Sequence, residues 1–221
     1  MNDMRNRLIE MIEAERLIVI VRGVGQDQLL PLAEALYDGG VRLMEITYAA
    51  DGTIADETVA EQIAMLASHM TGRMTVGAGT VLTEKQVQLT SDAGGRFIIS
   101  PDVFPDVIRK TRALDMVSIP GALTPTEIQR AVRAGADFVK LFPASTFGTD
   151  YIRAITAPLS HVRLLAVGGI TPDNLGTYRS VGIRGFGIGG GIVQKSLIDA
   201  GDYTAIAAIA KQYRDAISAK E

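Results

Sequence analysis

Chemistry at neutral pH needs groups that can give up a proton or share an electron pair, and this sequence offers few. It has no cysteine and only two histidines, His69 and His161, each in a polar connecting stretch where exposure is expected. Disulfides, thiolate nucleophiles and thiolate-bound zinc are excluded, and a Ser-His-Asp triad or a histidine-rich metal site is disfavoured. Lys140 stands apart because it interrupts the apolar run Phe138-Val139-Lys140-Leu141-Phe142. An ammonium group is costly to bury, and desolvation can lower a lysine pKa from about 10.4 by roughly 3–5 pH units. A lysine held near neutrality carries a free amine, the form that attacks a carbonyl to make a Schiff base. That chemistry needs a separate proton carrier, and Glu45, in Met44-Glu45-Ile46-Thr47, is the best-placed carboxylate. The structural alternative for Lys140 is a buried ion pair, or a stem that snorkels to the rim of the fold.

Both residues must be held by regular elements. The run around Lys140 is short, β-branched and aromatic, with Gly135 before it and Pro143 after it, which reads as a buried strand. Similar apolar runs occupy residues 17–21, 42–46, 73–76, 96–100, 116–119, 164–167 and 185–188. Helical patterns lie between them. Thr124-Pro125-Thr126-Glu127 and Thr83-Glu84-Lys85-Gln86 have the form of capping boxes, and Thr171-Pro172 is expected to start a further helix. Gly39-Gly40, Gly94-Gly95, Gly135 and Gly182 close helical patterns shortly before strands. Alternating strands and helices predict a parallel sheet. Eight such units in 221 residues favour a closed (β/α)8 TIM barrel, an α/β fold, over a doubly wound sheet, since no break in composition divides the chain. A single domain, residues 1–221, is expected.

An N-terminal helix precedes the first strand, with Met4, Leu8, Met11 and Ile12 on one face and acidic residues where a signal peptide would carry its apolar core. The net charge is −3, with 22 basic against 25 acidic residues and no basic block. No apolar run approaches the roughly 18 residues of a membrane span. No nucleic-acid or membrane partner is expected, and the cytoplasm is the expected location.

Barrels of this kind gather chemistry at the C-terminal ends of their strands. Lys140 falls near the end of the sixth strand and Glu45 near the end of the second. Glycine-rich turns follow the seventh strand (Gly168-Gly169) and the eighth (Gly189-Gly190-Gly191). Glycine lets backbone amides approach a ligand, helix N-termini favour anions, and these two loops commonly hold a phosphate. Tight turns without a ligand are the plain alternative.

The segments GGVRLMEIT (39–47), VGAGTVLT (76–83), FIISPD (97–102), SIPGALTPTE (118–127), FVKLFPAS (138–145) and AVGGITPDNL (166–175), in this order, resemble one family. It is that of the class I aldolases acting on 2-keto-3-deoxy-6-phosphogluconate (KDPG) and 4-hydroxy-2-oxoglutarate (KHG), and the resemblance runs from about Leu17 to Tyr203. It implies reversible cleavage of a small keto acid to pyruvate and an aldehyde, either glyceraldehyde 3-phosphate or glyoxylate. It also implies no metal or other cofactor, and usually a homotrimer. Lys140 matches the Schiff-base lysine of that family and Glu45 its general acid/base. Thr80, Pro101 and Phe142 match residues that shape the pyruvate pocket, and Gly168, Gly169, Gly190 and Gly191 match the phosphate-binding turns.

Three departures bear on substrate. Ala49 stands where many members carry an arginine for the pyruvate carboxylate, and Arg22, just past the first strand, is the expected replacement. Gly191 and Val167 stand where the gluconate enzymes usually have serine and threonine; valine there resembles aldolases for the galactonate epimer, KDPGal. The segment after Glu45, YAADGTIADETVAEQ, is longer than the usual connection, and a long loop over the active face is expected to shape specificity. Two rival readings remain. A phosphosugar isomerase or synthase would explain the glycines but not a lysine inside a strand. A non-catalytic phosphosugar-binding barrel would have had no need to keep both Glu45 and Lys140.

Overall fold

In the computed structural model, which describes residues 3–219, strands and helices alternate along the chain. The first half runs α1 (Asp3–Glu15), β1 (Leu17–Val21), α2 (Gln26–Asp38), β2 (Leu43–Thr47), α3 (Asp56–His69), β3 (Thr75–Gly79), α4 (Glu84–Asp92), β4 (Phe97–Ile99), α5 (Pro105–Ala113) and β5 (Val117–Ile119). The second continues with β6 (Gly121–Ala122), α6 (Pro125–Ala134), β7 (Val139–Leu141), α7 (Gly148–Thr156), β8 (Leu164–Val167), α8 (Leu175–Ser180), β9 (Gly185–Ile188), α9 (Lys195–Asp199) and α10 (Tyr203–Ser218).

Strands pair in the order β5-β4-β3-β2-β1-β9-β8-β7-β6, all in parallel. The two ends of that order, β5 and β6, are consecutive in sequence and separated only by Pro120, so the sheet returns on itself as a nearly closed (β/α)8 TIM barrel. Nine strands stand where eight are expected because the fifth is cut in two. Proline has no amide hydrogen for the ladder. β5 therefore pairs back to β4 and β6 forward to β7, with Gly121 opposite Lys140. The Pro120 carbonyl accepts the Lys140 amide at 2.9 Å.

Side chains alternate across each strand. Those facing inward include Ile18, Leu43, Phe97, Ile99, Val117, Ile119, Phe138 and Leu165, and Leu8 and Ile12 of α1 pack against them from below. The alternate residues form the larger core between the sheet and the outer helices. Asp137, just before β7, accepts hydrogen bonds from Arg5 of α1, Arg112 of α5 and the Ser118 amide, which fastens α1 across the barrel floor. Met4 does not join this floor. It is 58% exposed, because apolar contact between α1 and the barrel begins one turn later, at Leu8.

Several local expectations are met and others are corrected. Capping boxes form at Thr83 and Thr124, and Gly135 closes α6 with φ +106°. β3 runs on through Gly77 to Gly79 because the Phe97 ring lies across Gly77, where a side chain would have stood. Thr171 does not cap a helix. The Asn174 side chain accepts from the Thr171 amide and donates to the Gly169 carbonyl, closing a turn, and α8 begins after it. Only residues 48–55 of the long segment after Glu45 are loop; from Asp56 the chain is helix, burying Val59, Ile63 and Leu66. His69 ends that helix rather than lying in a loop, with Nε2 2.6 Å from Glu34 Oε1, while His161 is exposed. Among the described residues, no helix is long and apolar enough to cross a membrane.

Candidate active site

Strand periodicity carries the candidate residues to one end of the lumen. Glu45 follows the inward-facing Leu43 by two positions, and Lys140 follows Phe138 in the same way, so each rises one layer above the apolar plug. Glu45 is 1% exposed and Lys140 8%. Gly79 makes the space for the carboxyl: a Cβ there would lie 2.2 Å from Glu45 Oε1 and 3.1 Å from Thr47 Cγ2. Glu45 Oε2 is buried and has no hydrogen-bond partner among the described residues.

Burial penalises charge on both groups. It pushes the Glu45 pKa up from 4.5 to about 7, against the attraction of the Lys140 and Arg22 cations. Burial likewise lowers the pKa of Lys140; the Glu45 carboxylate opposes this and the Arg22 guanidinium adds to it. The arrangement favours the neutral amine and leaves a carboxyl able to give or take a proton near neutrality.

Arg22 shares this cluster. Its Nη2 donates to Thr80 Oγ1 at 3.2 Å, joining the end of β1 to the end of β3, and it remains exposed at the mouth. Thr80 has φ +55°, a conformation that a β-branched residue rarely adopts and that tends to be found at functional sites. The Lys140 ammonium lies 4.9 Å from the centroid of the Phe142 ring, which is 42% exposed and forms one wall of the opening. Pro101 is also exposed at the rim, after β4, with its carbonyl against Gly121, the strand partner of Lys140.

The two glycine turns close the far side. A Cβ on Gly168 would sit 3.6 Å from the Phe142 ring, so this turn abuts the wall beside Lys140. Gly190 faces open space, whereas a Cβ on Gly191 would lie 2.4 Å from Tyr213 Oη. That hydroxyl, from α10, donates to the Ile170 carbonyl at 3.2 Å and so bridges the turns after β8 and β9. Lys140, Glu45, Arg22 and Thr80 thus form one cluster, with Phe142 joining it to Gly168. Thr47, Gly79 and Tyr213 are additions that the sequence reading missed. Thr47 was findable from the two-residue period beyond Glu45, but nothing in α10 marked Tyr213.

Among the described residues, no three His, Cys, Asp or Glu side chains converge to hold a metal. A groove of about 780 Å³ lined by Arg16, Arg153, Arg179 and Arg184 lies at the opposite, N-terminal face of the barrel.

Comparison with known proteins agrees with this geometry. The family model for KDPG and KHG aldolase matches residues 8–209. The 2-dehydro-3-deoxy-6-phosphogalactonate aldolase of Escherichia coli (strain K12) is 33% identical over 202 residues, covering 91% of this chain and 96% of that protein. The 2-dehydro-3-deoxy-phosphogluconate aldolase of Treponema pallidum (strain Nichols) is 35% identical over 207 residues, covering 93% and 95%. The crystal structure of KDPG aldolase from Legionella pneumophila, with pyruvate captured at low pH as a covalent carbinolamine intermediate, superposes with a TM-score of 0.82 at 25% identity, covering 92% and 96%. With the family model spanning nearly all of its barrel, this chain belongs to the KDPG and KHG aldolase family.

Proposed function

We propose that the chain is a class I aldolase that reversibly cleaves KDPG, KHG or both, giving pyruvate with glyceraldehyde 3-phosphate or glyoxylate. The observation that carries this reading is the desolvated Lys140 within electrostatic reach of Glu45, whose buried Oε2 has no hydrogen-bond partner among the described residues. The Lys140 amine attacks the C2 carbonyl, and the resulting carbinolamine loses water to become a protonated Schiff base. Glu45, as carboxylate, takes the proton of the C4 hydroxyl. The C3–C4 bond then breaks, its electron pair enters the iminium to give an enamine, and the aldehyde departs. Glu45, now protonated, returns a proton to C3, and water releases pyruvate and the free amine. Arg22 holds the pyruvate carboxylate, supported by its own tie to Thr80. Phe142 and Pro101 wall the pocket, and Gly168, Gly169, Gly190 and Gly191 receive the phosphate.

A second reading, cleavage of the galactonate epimer KDPGal, is favoured by the absence of a hydroxyl at Val167 and Gly191. Parallel kcat/KM measurements with KDPG, KDPGal and KHG test both. Phosphorylated substrates are expected to lead, and no cleavage of any of the three would defeat the assignment. The same reading takes residues 1–221 as one catalytic domain working in the cytoplasm as a homotrimer. The exposed rings of Phe104 and Phe147 are apolar surface that such an assembly would cover.

A further inference from the structure

We propose that Ser145 supplies the side-chain hydroxyl that binds the substrate's terminal phosphate, and that it sets the preference for phosphorylated aldehydes. This rests on the aldolase reading above and goes beyond it by assigning a residue that neither the strand periodicity nor the glycine turns pick out.

The glycine turns offer backbone but no side-chain donor of their own. A side chain at position 191 would have to displace Tyr213 Oη, which is held by its bond to Ile170. Val167 turns toward β9, with Cγ2 2.8 Å from where a Cβ on Gly187 would stand. The opposite side of the cleft is different. The Ala144 amide donates to the Val167 carbonyl at 2.9 Å and hangs the β7–α7 connection on the end of β8. Phe142 and Pro143 then lie against Gly168, and the Ser145 hydroxyl lies over Gly169, 2.3 Å from the place a Cβ would take there.

Gly169, at φ +73°, has neither room nor conformational tolerance for a side chain, so the hydroxyl and the turn are fitted to each other. Ser145 is exposed, and its hydroxyl has no hydrogen-bond partner among the described residues; nor do the amides of Gly168 and Gly169. An unpartnered hydroxyl lying over a turn with two unpartnered amides offers an anion donors of both kinds at one place. The Phe142 ring lies between the Gly168 turn and the Lys140 amine, so an extended phosphosugar acid laid along it would meet the turn at one end and the amine at the other.

The test compares kcat/KM for wild type and Ser145→Ala on the better phosphorylated epimer and on unphosphorylated KHG. Inhibition by inorganic phosphate is measured alongside, with borohydride trapping of pyruvate on Lys140 as a control for an intact centre. Loss of one bond to a charged group is expected to lower kcat/KM for the phosphorylated substrate by roughly 10–100-fold, mainly through KM. It should weaken phosphate inhibition in parallel and change KHG cleavage by less than about twofold. An equal fall on both substrates would mean that Ser145 serves the fold or the reacting centre, and would overturn the proposal. No change on the phosphorylated substrate, with wild type still preferring it, overturns the role of Ser145 and leaves the aldolase reading intact. A wild type indifferent to phosphate overturns the phosphate cradle and Ser145 together, and one that cleaves neither substrate overturns the function and the proposal with it.

Discussion

Glu45→Gln should make the protein more stable at alkaline pH while removing most of its activity. At low pH the Glu45 carboxyl is neutral in the folded and unfolded chain alike, and burial exacts no charge penalty. As pH rises past 4.5 the unfolded chain ionises, but the folded chain holds its proton until about 7. Stability attributable to this group is therefore complete below pH 4.5 and is lost as pH climbs through 7. The interval from 4.5 to about 7, at about 1.4 kcal/mol per pH unit, amounts to about 3 kcal/mol. Glutamine escapes that loss. The carboxylate's attraction for the Lys140 and Arg22 cations is already contained in that net shift, so about 3 kcal/mol is the expected advantage. Urea unfolding followed by circular dichroism, at fixed protein concentration and a series of pH values from 5 to 8.5, measures it. The two proteins should nearly coincide at pH 5 and separate by pH 8, while cleavage by the variant falls by roughly 10²–10⁴-fold. Parallel stability curves across this range would refute the reasoning, because Glu45 would then titrate as an ordinary surface carboxyl.

Borohydride added with pyruvate should attach a reduced three-carbon adduct to Lys140 alone; a peptide map with the label on another lysine would end the assignment. Arg22→Ala should raise KM for pyruvate in the condensation direction, and Arg22→Lys should do so less, because an ammonium lacks the paired donors of a guanidinium. Partial rescue is expected from Ala49→Arg in the Arg22→Ala background, whereas silent kinetics for Arg22→Ala would make Arg22 a rim residue. Gly191→Ser should destabilise by roughly 1–3 kcal/mol through its clash with Tyr213 Oη, and Tyr213→Phe in the same chain should recover most of the lost melting temperature. Additive effects of the two changes would show that the contact is not what excludes a side chain.

How far the sequence could be read depended on the range of the interaction responsible. Lys140 and Glu45 were legible because a charged residue inside an apolar run is a local contradiction, and two-residue periodicity then fixes which way it faces. Thr83 and Thr124 were legible because a capping box lies within four residues. Pro120 was visible in the chain, but its effect was not, since whether a proline breaks a strand depends on which neighbour would have received its amide. The third apolar run ends at Val76, and Gly77 and Gly79 carry no strand signal of their own; they belong to β3 because Phe97 and Glu45, brought alongside by the sheet, need their empty space. Met4 fitted the helical stripe, but periodicity does not say where a helix first meets the body it covers. Tyr213 and Ser145 acquire meaning only from contacts with residues dozens of positions away.

The break at Pro120 also divides the site between two lengths of polypeptide. Arg22, Glu45, Thr80 and Pro101 are synthesised before it, and Lys140, Phe142, Ser145 and both glycine turns after it. A chain emerging from the ribosome has made the first half of the site before Lys140 exists. When Lys140 follows, it is an ordinary hydrated cation until β7 seats between β6 and β8 and the apolar wall closes around it. On the proposed mechanism, reactivity toward carbonyl compounds thus arrives only with the finished barrel.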